Sequence, residues 1–339
     1  MAKKNFLVTG GAGFIGSEIV RQLLAAGYSV RVADNLSKKD LSASLKASAQ
    51  IDSRAEFFKV DLTDSKNAKK VFKNIDICIN AAAKIGGIGY FHNYPATILS
   101  ENNKIYSCTF EAAVSAGIER MVYISSSMVF ESATKFPSKE DDIKKIPPPV
   151  SAYGFSKLSG EWYCKSFWDE YKLPYSICRP FNAYGINEFP EREIGYAHVI
   201  PDLVRKILEG QYPVQMLGDG NQIRCFTHVK DVAAGVIAVS LHKNGRNQQF
   251  NIGSDREIKM IDLAAKIWQI MKVKKSFKVK FIPGFKYDIR RRVPNVQKVK
   301  KLIGWKEQVD FDEGLKEVIA WLKNQKATGK FNFPAGKTK

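Results

Sequence analysis

The chain has 339 residues, 45% of them apolar, enough to bury one large core or two closely joined ones. Its 53 Lys and Arg against 34 Asp and Glu give a formal charge of +19, which favours anionic partners unless it is only a solvated lysine-rich surface. Five scattered cysteines without CxxC spacing read as reduced core thiols and exclude a metal site, and no signal-peptide or membrane-length apolar run is found, so a cytosolic protein away from membranes is expected.

In chain order, NFLVTG, YSVRVAD, EFFKVDL, DICINAAA and RMVYISSS are short β-branched runs, interleaved with helical patterns such as IVRQLLAAG and ENNKIYSCTFEAAVSAG. That alternation predicts an α/β fold on a doubly wound parallel sheet with helices on both faces. Gly117 closes the second helix as a C-cap. The prolines at 147–149 interrupt regular structure, SAYGFSKLSGEWYCKSFWDEY resumes as a helix, and YSICRPFNAYG is a further strand.

From about residue 186 the pattern changes to shorter helices (VIPDLVRKILEG, MIDLAAKIWQIM, EGLKEVIAWLKNQ) and short strands (PVQML, KVKFI), which predict a smaller C-terminal lobe. Leu315, Val318, Ile319 and Leu322 share one helix face, the mark of packing and not of a site. The expected division is a nucleotide-binding part over 1–180, a mainly substrate-binding lobe over 181–325 that returns to the first part near 225–245, and a flexible tail over 326–339.

The first strand runs into TGGAGFIGSEIV, with Gly10, Gly13 and Gly16 at three-residue spacing before a helix. Glycine there permits a tight turn, the approach of a pyrophosphate to the helix N-terminus, and close helix–strand packing. Asp34 ends the second strand roughly 20 residues on, where a carboxylate accepts both ribose hydroxyls of an adenosine and repels a 2′-phosphate, which favours NAD over NADP. Arg31 would argue the other way, but strand alternation puts it on the opposite face. Asp61-Leu62 ends a third strand, where the carboxylate suits an adenine, and Asn80-Ala81-Ala82-Ala83 ends a fourth with small residues that leave room for a ribose.

After the serines of ISSSMVFE comes Tyr153-Gly154-Phe155-Ser156-Lys157, with tyrosine and lysine on one helix face. An ammonium beside the phenol favours the phenolate and brings a general base toward the working pH. With these residues the sequence resembles an extended short-chain dehydrogenase/reductase, in the branch of NAD-dependent sugar-nucleotide epimerases and dehydratases. The likeness runs from TGGAGFIGS through RPFNAYG, RCFTHVKDV and FNIGS to KVKKLIGW, about residues 5 to 322.

The resemblance implies a Rossmann-type sheet, bound NAD, a nucleoside-diphosphate-sugar substrate and a homodimer built on the helices beginning near 102 and 153. It implies Ser126, Tyr153 and Lys157 as the catalytic set. Cofactor contacts are implied for Gly10, Gly13, Phe14, Ile15, Gly16, Asp34, Asn35, Asp61, Leu62, Ala81, Ala82, Ala83, Asn102 and Pro180, besides Tyr153 and Lys157. Substrate contacts are implied for Lys84, Gly87, Ser127, Met128, Asn182, His198, Val199, Arg224, Arg290 and Arg292. Within the arginine run, alternation favours Arg290 and Arg292 together or Arg291 alone, and Phe285-Lys286-Tyr287-Asp288 departs from the Arg-x-Gly-Asp form of such families.

Position 128 narrows the chemistry. The 4,6-dehydratases resemble Thr-Asp-Glu where this chain has Ser126-Ser127-Met128, and a thioether exchanges no protons, so dehydration and decarboxylation both lose their expected group. The stretch Lys84-Ile85-Gly86-Gly87-Ile88 and the segment around His198 are similar to GDP-mannose 3,5-epimerase and GDP-fucose synthase, but the cysteine of those enzymes is Met128 here. His198 is read as a substrate or structural contact ahead of a proton donor. The expected activity is C4 epimerisation of a nucleoside-diphosphate hexose through a transient 4-keto intermediate. The alternatives are a GDP-sugar 3,5-epimerase or 4-keto reductase, and, in another class, a dinucleotide- or RNA-binding relative without turnover. The intact Ser, Tyr and Lys argue against the last, and without an RNP-like or basic-helix motif nucleic acid is an unlikely partner.

Overall fold

The computed structural model describes residues 4–37, 51–191, 193, 195–285 and 288–329, so most of the expected tail lies outside the described residues. The first part of the chain runs β1 (Asn5–Thr9), α1 (Phe14–Ala25), β2 (Ser29–Asp34), β3 (Glu56–Lys59), α2 (Ser65–Val71), β4 (Ile77–Asn80), α3 (Ile88–Asn93), α4 (Pro95–Ala116), β5 (Arg120–Ile124), α5 (Ala152–Tyr171) and β6 (Tyr175–Pro180). The second runs β7 (Ala183–Tyr184), α6 (Val199–Leu208), β8 (Val214–Leu217), β9 (Ile223–Cys225), β10 (Thr227–His228), α7 (Val229–Leu241), β11 (Gln248–Ile252), β12 (Glu257–Lys259), α8 (Met260–Ile270), β13 (Val279–Ile282), β14 (Arg291–Arg292), α9 (Gln297–Ile303) and α10 (Phe311–Ala327).

Seven parallel strands form the main sheet in the order β11-β6-β5-β4-β1-β2-β3. Helices cover both faces, which is why β1, β4 and β5 read as apolar runs without alternation: nearly every residue in them is buried. One face packs Ile19, Val20 and Leu23 of α1 with Val236 and Val239 of α7 and Val299 of α9. The other packs Tyr106, Phe110 and Ala113 of α4 with Cys164 of α5. A separate core, with Leu203 and Val204 of α6, Leu263 and Ile267 of α8, and Leu315, Val318 and Leu322 of α10, forms the second lobe.

Local chemistry sets the helix ends. Pro95 opens α4 and Gly117, left-handed at φ 63°, closes it. Ser151 caps α5 by accepting from the Gly154 amide at 3.0 Å, which fixes where the helix carrying Tyr153 and Lys157 begins. The five cysteines are free, and among the described residues no helix is long and apolar enough to cross a membrane.

One ion pair ties the catalytic helix to the sheet. Arg179 on β6 meets Glu161 on α5 through two bonds of 2.7 Å, with both side chains fully buried. Glu161 also accepts from Ser125 Oγ at 2.6 Å, and Arg179 donates to the Glu140 carbonyl and to Gln249 on β11. Glu161→Ala leaves a guanidinium buried without its counter-charge and is expected to cost about 3–5 kcal/mol, read as a lower denaturant midpoint in equilibrium unfolding.

Candidate active site

A cleft of about 810 Å³ opens at the C-terminal ends of the sheet strands and continues onto the second lobe. Its dinucleotide end is built by the glycine turn. Gly10 is left-handed at φ 67°, and a Cβ added there would come within 2.8 Å of the Ala82 backbone; at Gly16 it would come within 2.1 Å of the Gly10 carbonyl. The turn delivers the chain to Gly13, the N-cap of α1, so that Phe14, Ile15 and Gly16 line the cleft with free helix-terminal geometry.

Asp34 stands at the end of β2. Its carboxylate accepts from the amides of Ala12 at 3.1 Å and Leu36 at 2.8 Å, and burial pushes its acidity toward higher pKa. Arg31 points away, to Glu56 and the carbonyls of Val71 and Lys73. Asn35, Asp61, Leu62, Ala81, Ala82, Ala83 and Pro180 also line the cleft, and Asp61 is partly engaged by its own turn through Thr63. A side-chain-free cradle at a helix N-terminus and a desolvated carboxylate at the end of β2 fit a dinucleotide with two free ribose hydroxyls.

Asn102 departs from expectation. Fully buried, it does not line the cleft; it brackets the backbone of Lys84 with both ends of its amide and donates to Ser156 Oγ. It shapes the cleft wall from behind. Lys84 itself lines the cleft with its ammonium 3.5 Å from Glu101. Gly87 gives its amide to the Tyr196 carbonyl at 2.7 Å, and a Cβ there would lie 2.2 Å from the Gly195 carbonyl, so this glycine serves the contact between two loops.

At the catalytic end β5 stops at Ile124, and Ser126 caps a 3₁₀ turn over Ser127–Phe130 by accepting from the Met128 amide at 3.1 Å. Tyr153 is 4% exposed and its ring stacks on Phe91 at 4.4 Å. Burial pushes the phenol up to about 12, opposed by a hydrogen bond with Ser126 and by the charge of Arg292. Lys157 is buried on the same helix face, its ammonium donating to the Ile124 carbonyl at 2.8 Å and lying over the Tyr123 ring; burial pulls it down to about 7. Lys157 gives its ammonium to the end of β5, and Arg292, from the second lobe, is a further cation whose charge reaches the phenol.

The arginine run resolves by strand register. β14 pairs with β9, setting Arg292 opposite Arg224, and both line the cleft. Arg292 donates to Ser127 Oγ at 3.2 Å, and burial pulls it down to about 9. Arg224 is held by Asp288 at 3.0 Å, and Gln222 binds the other oxygen of the same carboxylate. Arg291 turns outward to Glu257. Arg290, expected beside Arg292, does not line the cleft: it lies before the strand, where alternation no longer applies, and pairs at the surface with Asp219 at 2.9 Å. Lys286 and Tyr287 lie outside the described residues.

Asn182, left-handed at φ 38°, lines the cleft and donates to the Cys225 carbonyl. His198 and Val199 line it at the start of α6, and the His198 ring meets Glu188, a buried carboxylate that sequence reading did not single out. Met128 packs with Ile98 and Tyr153 and against Tyr90, Phe91 and Ile289, an apolar wall beside the tyrosine.

Sheet, cleft and serine, tyrosine and lysine together define a Rossmann-type enzyme that works on a bound dinucleotide. The chain belongs to the NAD dependent epimerase/dehydratase family, whose model matches residues 6–253, and NAD is its cofactor. A Methanocaldococcus jannaschii protein, provisionally named a UDP-glucose 4-epimerase, is 33% identical over 95% of this chain and 99% of its own. GDP-mannose 3,5-epimerase of Arabidopsis thaliana is 29% identical over 94% and 82%. The crystal structure of UDP-glucose 4-epimerase with UDP-glucose from Thermotoga maritima matches with a TM-score of 0.84 and 29% identity, over 95% of this chain and 99% of that one.

The two arginines separate by experiment. Arg292→Ala is expected to weaken nucleotide-sugar binding roughly 10- to 100-fold, the loss of a charge-assisted contact, while Arg290→Ala changes it less than about threefold; calorimetric titration reads both.

Proposed function

We propose that this enzyme epimerises a nucleoside-diphosphate hexose at C4 and regenerates its NAD within each turnover. The observation that carries the reading is the combination of Tyr153 with Ser126 at the cleft floor and an apolar wall at Met128 beside them. Such a site moves one proton at one sugar oxygen and offers no acid–base group at 128 for elimination. The 4-epimerase relatives, one of them crystallised with UDP-glucose, support the same reading.

Bound NAD supplies the two-electron acceptor and donor for the sugar carbon. Tyr153 Oη takes the proton of the C4 hydroxyl and later returns it. Ser126 Oγ holds the same oxygen, and Lys157 stands against the nicotinamide ribose. Arg292 and Arg224 hold the diphosphate, so the 4-keto sugar turns about its phosphate end while Met128 lets either face pass. Two copies pair through α4 and α5, a proposal supported by Phe155 and Trp162 left exposed on α5.

A second reading, inversion at C3 and C5, draws on one observation: His198 with Glu188 lines the same cleft. Solvent deuterium separates the two, since C4 epimerisation through Tyr153 exchanges no carbon-bound hydrogen with water and inversion at C3 or C5 does.

Incubation with UDP-, GDP-, dTDP- and CDP-hexoses in D₂O, without added NAD, is expected to give a C4 epimer free of deuterium by proton NMR. Net consumption of NADPH, or deuterium at C3 or C5, overturns the proposal. Tyr153→Phe is expected to lower kcat by on the order of 10²- to 10⁴-fold, as for a lost general acid–base. Met128→Ala is expected to keep kcat within about tenfold, because it removes only apolar wall.

A further inference from the structure

Met128 removes a charge from the wall, but Glu131, one 3₁₀ turn later, puts one back. Its amide bonds to the Met128 carbonyl at 3.1 Å, and its carboxylate accepts from the Ser151 amide at 2.8 Å. Ser151 is the residue that caps α5, so Glu131 is fixed to the helix that carries Tyr153. Glu131, Ser151, Tyr153, Met128 and Arg292 line the same cleft. A carboxylate accepts at about four lone-pair sites, and the Ser151 amide uses one of them. The negative charge of Glu131 raises the basicity of Arg292, which places the two groups within electrostatic reach.

Two other cations of the cleft are engaged. Lys157 gives its ammonium to the Ile124 carbonyl, and Lys84 is held by Glu101. With Arg292 and Arg224 on the diphosphate, as proposed above, a sugar bearing its own carboxylate would meet Glu131 with neither guanidinium free to compensate. A sugar hydroxyl or ammonium would instead find an oriented acceptor. Resting on the C4-epimerase reading, we infer that Glu131 selects the sugar: the enzyme takes a neutral or amino hexose that donates a hydrogen bond to this carboxylate, and rejects a hexuronate.

The test titrates NAD-loaded protein with UDP-glucose against UDP-glucuronate and with GDP-mannose against GDP-mannuronate, for the wild type, Glu131→Gln and Glu131→Ser. The wild type is expected to bind the neutral member of its preferred pair at least roughly tenfold more tightly, and both variants to narrow that ratio by about tenfold or more, since like-charge rejection is lost with the charge. Tighter binding of the uronate by the wild type, or a ratio unmoved in both variants, overturns the role of Glu131. The ratio is its own control for any general loss of fold. Proton NMR of the same samples scores epimerisation separately: an epimer with an unmoved ratio overturns the role of Glu131 alone, and a narrowed ratio with no epimer from either sugar overturns C4 epimerisation alone.

Discussion

The pairing of Arg179 with Glu161 is the constraint on which the catalytic geometry rests. A buried ion pair contributes little net stability against a well-packed apolar substitute, but it is intolerant of misplacement. Here it fixes the rotation of α5 about its own axis, because Glu161 reaches the β6 arginine only when Lys157, one turn earlier, faces the end of β5. The same carboxylate holds Ser125, the neighbour of Ser126. Serine, tyrosine and lysine come from two elements, and this contact aligns one with the other.

The formal charge of +19 invites an electrostatic account of substrate capture, yet the cleft does not carry that excess. Arg224, Arg292, Lys84, Lys104, Lys157 and Lys206 share its lining with Asp34, Asp61, Glu101, Glu131, Glu188, Glu191, Asp202 and Asp288. The binding surface is therefore balanced and patterned, with recognition set by which charges are paired and which remain open.

Much of the fold was legible because its signals are local. The alternation of strands and helices, the Gly10–Gly16 turn with Asp34 after it, and the face shared by Tyr153 and Lys157 all follow from spacing along a single element. What spacing cannot carry is the identity of a partner far along the chain. Arg290 and Arg292 look equivalent until β14 takes its register on β9; Asn102 looks like a lining residue until its amide closes on Lys84; the phenol of Tyr153 feels an arginine more than a hundred residues away. Glu131 and Glu188 sit in irregular segments where no periodicity marks them, and only the folded cleft gives them meaning.

Arg292 belongs to the small sheet of the second lobe, whereas Tyr153 belongs to α5 on the first. The charge that opposes the burial of the phenol is therefore borrowed across the fold: it depends on how the small sheet sits on the strand ends, and a change in that seating would be felt as a change in acidity at Tyr153.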